Sequence, residues 1–128
     1  MSKGYILYIE DNFDNRLLVK RVLEAEGYTV LEAGSGLQGL EVAQTAPSVD
    51  LVLVDINLPD IDGYEVTHRL RGADGLRKLP IVALTANVME GDREKAEQAG
   101  CDGYISKPID VDELPDQIAR FIQAQASR

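Results

Sequence analysis

A single cysteine, Cys101, excludes an internal disulfide and fits a reducing compartment. Basic clusters are missing as well. Lys and Arg occur in scattered pairs such as Lys20-Arg21 and Arg77-Lys78, and the formal net charge of the 128 residues is -9. Binding to a phosphate backbone draws on clustered Lys and Arg, so no nucleic-acid partner is expected. No apolar run approaches the about 20 residues of a membrane-spanning helix. The N-terminal apolar run meets Glu10 and is too short for a secretory signal. Repeats and low-complexity tracts are absent. These exclusions leave an expected cytoplasmic chain with no membrane partner. It reads as one domain over residues 1–128, long enough to bury about two-thirds of its unfolded surface.

Five short apolar runs punctuate the chain, at 5–9, 28–32, 50–54, 80–84 and 103–105. Continuous apolar runs of this length read as strands buried on both faces, as in a parallel sheet. Helical patterns fill the intervals. The first follows Asn12, with Leu18, Val22 and Ala25 on one face, Val19 and Leu23 widening it, and Gly27 as terminator. The second covers about 36–46 and stops before Pro47. The third starts at Asp62-Gly63 and carries Tyr64, Val66 and Leu70. The fourth covers about 88–98, ending at Gly100. The fifth starts near Asp110, with Pro115 in its first turn and Leu114, Ile118, Phe121 and Ile122 inward. Five strands alternating with five helices predict an α/β, doubly wound parallel sheet. The flavodoxin-like (βα)5 arrangement, strand order 2-1-3-4-5, suits five such units.

In such sheets a ligand binds beyond the carboxyl ends of the strands, at the point where strand order reverses. Here that point falls between the first and third strands, which lead into Glu10-Asp11 and Asp55. Neighbouring strand ends lead into Thr85 and Lys107-Pro108. Three crowded carboxylates repel, and a hard divalent cation relieves them. Mg²⁺ suits a few carboxylates, a carbonyl and retained waters, often shared with a phosphate. Asp11 and Asp55 are candidate direct ligands, Glu10 a ligand directly or through water, and the Asn57 backbone carbonyl a fourth. Lys107 offers a point charge and Thr85 a hydroxyl to phosphoryl oxygens. A carboxylate can attack phosphorus to give an aspartyl phosphate. Such transfer demands chiefly positioning and charge neutralisation.

The motifs that carry this chemistry are I-E-D-N at 9–12, V-D-I-N-L-P-D-I-D-G at 54–63, A-L-T-A at 83–86 and G-Y-I-S-K-P-I at 103–109. In this order, across essentially the whole chain, they closely resemble the receiver domain of two-component response regulators, the CheY-like superfamily. The resemblance implies that Asp55 accepts a phosphoryl group from a histidine kinase or histidine phosphotransfer protein. It implies that Glu10 and Asp11 hold Mg²⁺, that Thr85 is the switch hydroxyl, Lys107 the phosphate-pairing lysine and Tyr104 the switch aromatic. A downstream protein would then read the surface around the fourth helix, fifth strand and fifth helix. One departure stands out: the first acid is Glu10, where the family more often has Asp. The two positions that tune the lifetime of the phosphoryl group would be Asn57 and Asn87, neither of them acidic.

Other polar residues have plainer expected roles. His68 lies mid-helix beside Arg69 and falls on a solvated face, and Cys101 is small packing in a turn. Phe13 either braces the helix start or meets the phosphodonor at the lip of the site. Asp60-Ile61-Asp62-Gly63 mimics part of a calcium loop. Its first and last ligand positions would be Leu58 and Arg69, which excludes an EF-hand. On this reading the chain is no turnover enzyme and catalyses only its own phosphorylation and dephosphorylation. A small phosphatase of haloacid dehalogenase type is the competing enzyme. Its second acid would stand at Asn57, which counts against it. A receiver-like scaffold that is never phosphorylated is the third reading.

Overall fold

The structure is a computed structural model that describes residues 2–73, 78–86 and 90–126. Its elements run β1 (Tyr5–Ile9), α1 (Phe13–Ala25), β2 (Thr29–Ala33), α2 (Gly36–Thr45) and β3 (Leu51–Asp55). They continue α3 (Gly63–Gly72), β4 (Ile81–Thr85), α4 (Glu90–Ala99), β5 (Gly103–Ser106) and α5 (Leu114–Ala126). The strands form one parallel sheet in the order β2-β1-β3-β4-β5. Every residue of β3 and β4 is buried, because helices cover both faces of a parallel sheet.

Side-chain parity along the strands sorts the core. Ile6 and Tyr8 of β1, Leu51 and Leu53 of β3, Val82 and Leu84 of β4 and Ile105 of β5 pack on one side. There they meet Val19, Leu23, Leu114 and Ile118 of α1 and α5. Leu7, Ile9, Val52 and Val54 pack on the other side with Val66 and Leu70 of α3. Since side chains alternate at period two, Glu10, Asp55 and Lys107 each continue the α1/α5-facing row of their strand. Thr85 continues the opposite row, after Ala83, whose register partner is Tyr104.

Two local expectations shift. Helix α1 turns Val19 and Leu23 fully inward, while Leu18 is 46% exposed and Ala25 is exposed. Its buried stripe is therefore centred one residue further on than the pattern Leu18, Val22, Ala25 suggested. Helix α5 begins at Leu114, four residues after Asp110. The Asp110 carboxylate takes the N–H groups of Asp112 and Glu113 at 3.0 and 3.3 Å. That local bonding closes a turn before the helix can start. Residues 87–89, where the fourth helix was expected to begin, and Asn87 with them, lie outside the described residues.

The segment between β3 and α3 is held toward its α3 end. Asp62 caps α3 by accepting the Glu65 N–H at 2.8 Å. Asp60 accepts the N–H groups of Gly36 and Leu37 at the start of α2, both at 2.9 Å. These bonds, the Leu37 N–H foremost, hold the Asp60 carboxyl down at about 2. The two acids of the calcium-like stretch are thus helix caps. Gly63 packs against the backbone that follows the site. A Cβ there would stand 2.5 Å from the Asp55 carbonyl oxygen and 2.9 Å from Ile56 Cα. We expect Gly63→Ala to destabilise the fold by about 1–3 kcal/mol through overpacking, read as a lower urea midpoint with an unchanged slope.

Candidate phosphoryl and metal site

The strand ends bring most of the expected residues together. Asp55 is 3% exposed at the carboxyl end of β3. Its Oδ2 accepts from the Lys107 ammonium at 2.6 Å, and its Oδ1 accepts the Asn57 N–H at 2.9 Å. Lys107 Nζ also reaches Glu10 Oε1 at 3.3 Å. Lys107 is placed by its own N–H, which donates to the Thr85 carbonyl at 2.8 Å, and the peptide bond to Pro108 is cis. Carboxylate oxygens of Glu10, Asp11 and Asp55 lie within 4.8 Å of one another. Glu10 is fully buried and Asp11 is exposed at the rim. Thr85 is buried at the end of β4, one residue beyond Leu84, the register partner of Asp55.

Tyr104 is half-buried on the α4 side of β5, against Ile56, Ala83 and Ala96. Thr85 stands next after Ala83 along the same face of the sheet. The Arg93 guanidinium lies 6.0 Å from the ring centroid. Phe13 is 64% exposed, so it is no hydrophobic brace, and Arg16 lies 5.8 Å from its ring centroid. His68 is exposed as expected. Cys101 is half-buried, its sulfur 3.6 Å from the Thr67 hydroxyl. Beside the acids runs a groove of about 400 Å³ lined by Asn15, Leu18, Val19, Ala86, Lys107, Pro108 and Ile109.

Charge is distributed unevenly across the cluster. Burial, then the hydrogen bond with Asp55, pushes the Glu10 carboxyl up to about 7. Burial also works against the Asp55 carboxylate, but its bonds with Glu10, Lys107 and the Asn57 N–H outweigh that and hold it below its ordinary value. Burial likewise opposes the Lys107 ammonium, and Asp55 and Glu10 more than offset it, so its pKa is raised. Without a cation, then, Asp55 ionises before Glu10, and Glu10 is the acid of the pair that holds a proton more readily. Glu10 Oε2 is buried and takes no hydrogen bond from the described residues. An ionised oxygen left so costs several kcal/mol, and a cation among the three acids removes that cost. The hard oxygen donors fit Mg²⁺.

Several contributors escaped the sequence. Asn15 Nδ2 donates to Glu10 Oε1 at 2.8 Å, and Arg16 Nη1 donates to the Glu10 carbonyl at 2.7 Å. Both reach back from α1, five and six residues on. The only sequence signal is the N-cap residue Asn12, which fixes where α1 starts by accepting the Asn15 N–H. Tyr8 is fully buried on the face of β1 that Glu10 continues, and its hydroxyl finds no partner among the described residues.

Because the folded state holds a proton on Glu10 that the unfolded chain releases near 4.5, stability falls as pH rises from about 4.5 to about 7. The cost is complete above that window. Glu10→Gln is therefore expected to melt a few degrees higher than the wild type at pH 8 without divalent cations. Mg²⁺ should raise the wild-type melting temperature and leave that of Glu10→Gln little changed. Thermal unfolding in buffers with and without chelator checks both.

A family model described as the response regulator receiver domain matches residues 6–119. The chain is 40% identical over 122 residues to the polar-differentiation response regulator DivK of Brucella ovis, covering 95% of this chain and 98% of that protein. A CheY-like receiver domain protein of Methanospirillum hungatei superposes with a TM-score of 0.89 at 27% identity, covering 98% of both chains. The receiver domain of a Pseudomonas aeruginosa sensor histidine kinase, solved with a magnesium ion coordinated in its active-site cleft, superposes with a TM-score of 0.85. It is 38% identical, covering 94% of this chain and 98% of that one. With its strand order and its acid–lysine cluster, the chain belongs to the response regulator receiver family of two-component signalling.

Proposed function

We propose that this receiver takes a phosphoryl group onto Asp55 from the phosphohistidine of a histidine kinase or histidine phosphotransfer protein, in a Mg²⁺-dependent reaction. The observation that carries this reading is the buried Asp55 carboxylate, 2.6 Å from the Lys107 ammonium and grouped with Glu10 and Asp11. Its ionised state is what attack on phosphorus requires. An O–P bond forms at an Asp55 oxygen as the P–N bond breaks, and the bonding pair leaves with the imidazole. Mg²⁺, held by Glu10, Asp11, Asp55 and the Asn57 carbonyl, would neutralise the charge on the transferring group. Lys107 pairs with a phosphoryl oxygen in place of Asp55 Oδ2. Phe13, exposed on the first turn of α1, meets the donor protein.

The added charge is about -1.5 to -2, and its oxygens seek donors. Thr85 supplies a hydroxyl, and Tyr104 turns into the space beside Ala83 that Thr85 vacates. The surface formed by α4, β5 and α5 changes with it, and a downstream protein reads the shifted population. Asn57 stands where a haloacid dehalogenase-type phosphatase carries its second acid, which supports a held signal over turnover. We place the protein in the cytoplasm, where such kinases deliver their phosphoryl groups.

Acetyl phosphate with Mg²⁺ should add one phosphoryl mass to the wild type and none to Asp55→Asn, read by intact mass spectrometry. Lys107→Ala should slow the reaction by about 10²-fold or more. No adduct from acetyl phosphate or from a phosphorylated kinase domain would leave the unphosphorylated scaffold as the better reading. Sustained multiple turnover of a phosphomonoester would favour the phosphatase instead.

A further inference from the structure

The Glu10 carboxylate is held through one of its two oxygens. Asn15 donates its side-chain amide to Oε1 at 2.8 Å, and Lys107 reaches the same oxygen at 3.3 Å. Arg16 fixes the Glu10 carbonyl at 2.7 Å. Both donors to the carboxylate converge on Oε1, while Oε2 is buried and takes no hydrogen bond from the described residues. We propose that Asn15 is a positioning residue for the divalent cation: by occupying Glu10 Oε1 it leaves Oε2 as the oxygen Glu10 offers to the metal.

The physical need arises from side-chain length. Glutamate has one more rotatable bond than aspartate and loses more conformational freedom when its head is fixed. Mg²⁺ demands near-octahedral geometry at short distances, so a wandering carboxylate is a poor ligand. A partner that orients a ligating carboxylate typically contributes 10- to 100-fold in metal affinity. Asn15 suits this role because its amide is neutral. It orients the carboxylate without adding a positive charge beside the cation, and Lys107 remains available to the phosphoryl group. The placement depends on α1 starting where it does, since the Asn12 cap on the Asn15 N–H sets the first turn against Glu10.

The inference rests on the reading of Glu10, Asp11 and Asp55 as a metal site, and the test separates the two. Mg²⁺ affinity is measured by calorimetry on the wild type, Asn15→Ala, Glu10→Asp and the double variant, alongside their melting temperatures without metal. Asn15→Ala should weaken Mg²⁺ about 10-fold or more while barely moving the metal-free melting temperature. In the Glu10→Asp background, where the shorter acid falls away from Asn15, the same change should cost less than about threefold. In the metal-free wild type, the side-chain amide signals of Asn15 by NMR should shift on Glu10→Asp. Equal losses in both backgrounds, an affinity for Asn15→Ala within about twofold of the wild type, or amide signals blind to Glu10→Asp would overturn the role of Asn15 and leave the metal site standing. A wild type that binds no Mg²⁺ would overturn both.

Discussion

Two carboxylates in one buried crevice are a standing electrostatic debt, and the Lys107 ammonium is what makes it tolerable. It lies 2.6 Å from Asp55 and 3.3 Å from Glu10, and it comes from the far side of the sheet in sequence, 97 residues after Glu10. Bringing it there requires β5 to lie beside β4 in register, with Ser106 opposite Thr85. The sheet order, the parity of the strands and the cover of α1 and α5 all serve to deliver that one charge. The remaining imbalance raises the Glu10 carboxyl, which takes up a proton more readily than Asp55 does.

The fold was legible because parallel strands buried on both faces announce themselves as apolar runs. Strand bounds in the structure fall within a residue of the runs read from the sequence. Helix faces were less legible. In α1, Leu18 and Val19 are adjacent apolar residues, and only the packing of β1 and α5 decides that Val19 faces in. The start of α5 was obscured by Asp110, whose carboxylate bonds backbone N–H groups just as a helix cap does, but closes a separate turn.

At the site, residues at strand ends were readable because the topology itself assigns them a common place. Asp55, Glu10, Asp11, Thr85 and Lys107 all follow that rule, and the structure brings them to one edge of the sheet. Residues that act from helices were not readable. Asn15 and Arg16 touch Glu10 only because the helix after Asn12 turns back over β1, and Asp60 reaches α2 across 24 residues of sequence. Polar side chains near helix starts usually face solvent or cap their own helix, so nothing in their identity singled these out. Tyr8 was hidden for the opposite reason: within an apolar run it reads as ordinary core, and the burial of its hydroxyl shows only in three dimensions.

The opposite edge of the sheet is built to a different standard. Arg71, at the end of α3, donates to the carbonyls of Leu79 and Gly100 and pairs with Asp102, whose carboxylate also takes the Ile81 N–H. One guanidinium thus ties the segments leading into β4 and β5, including the carboxyl end of α4. Arg71 acts as a rivet: one side chain joins the end of α3, the carboxyl end of α4 and the segments leading into β4 and β5.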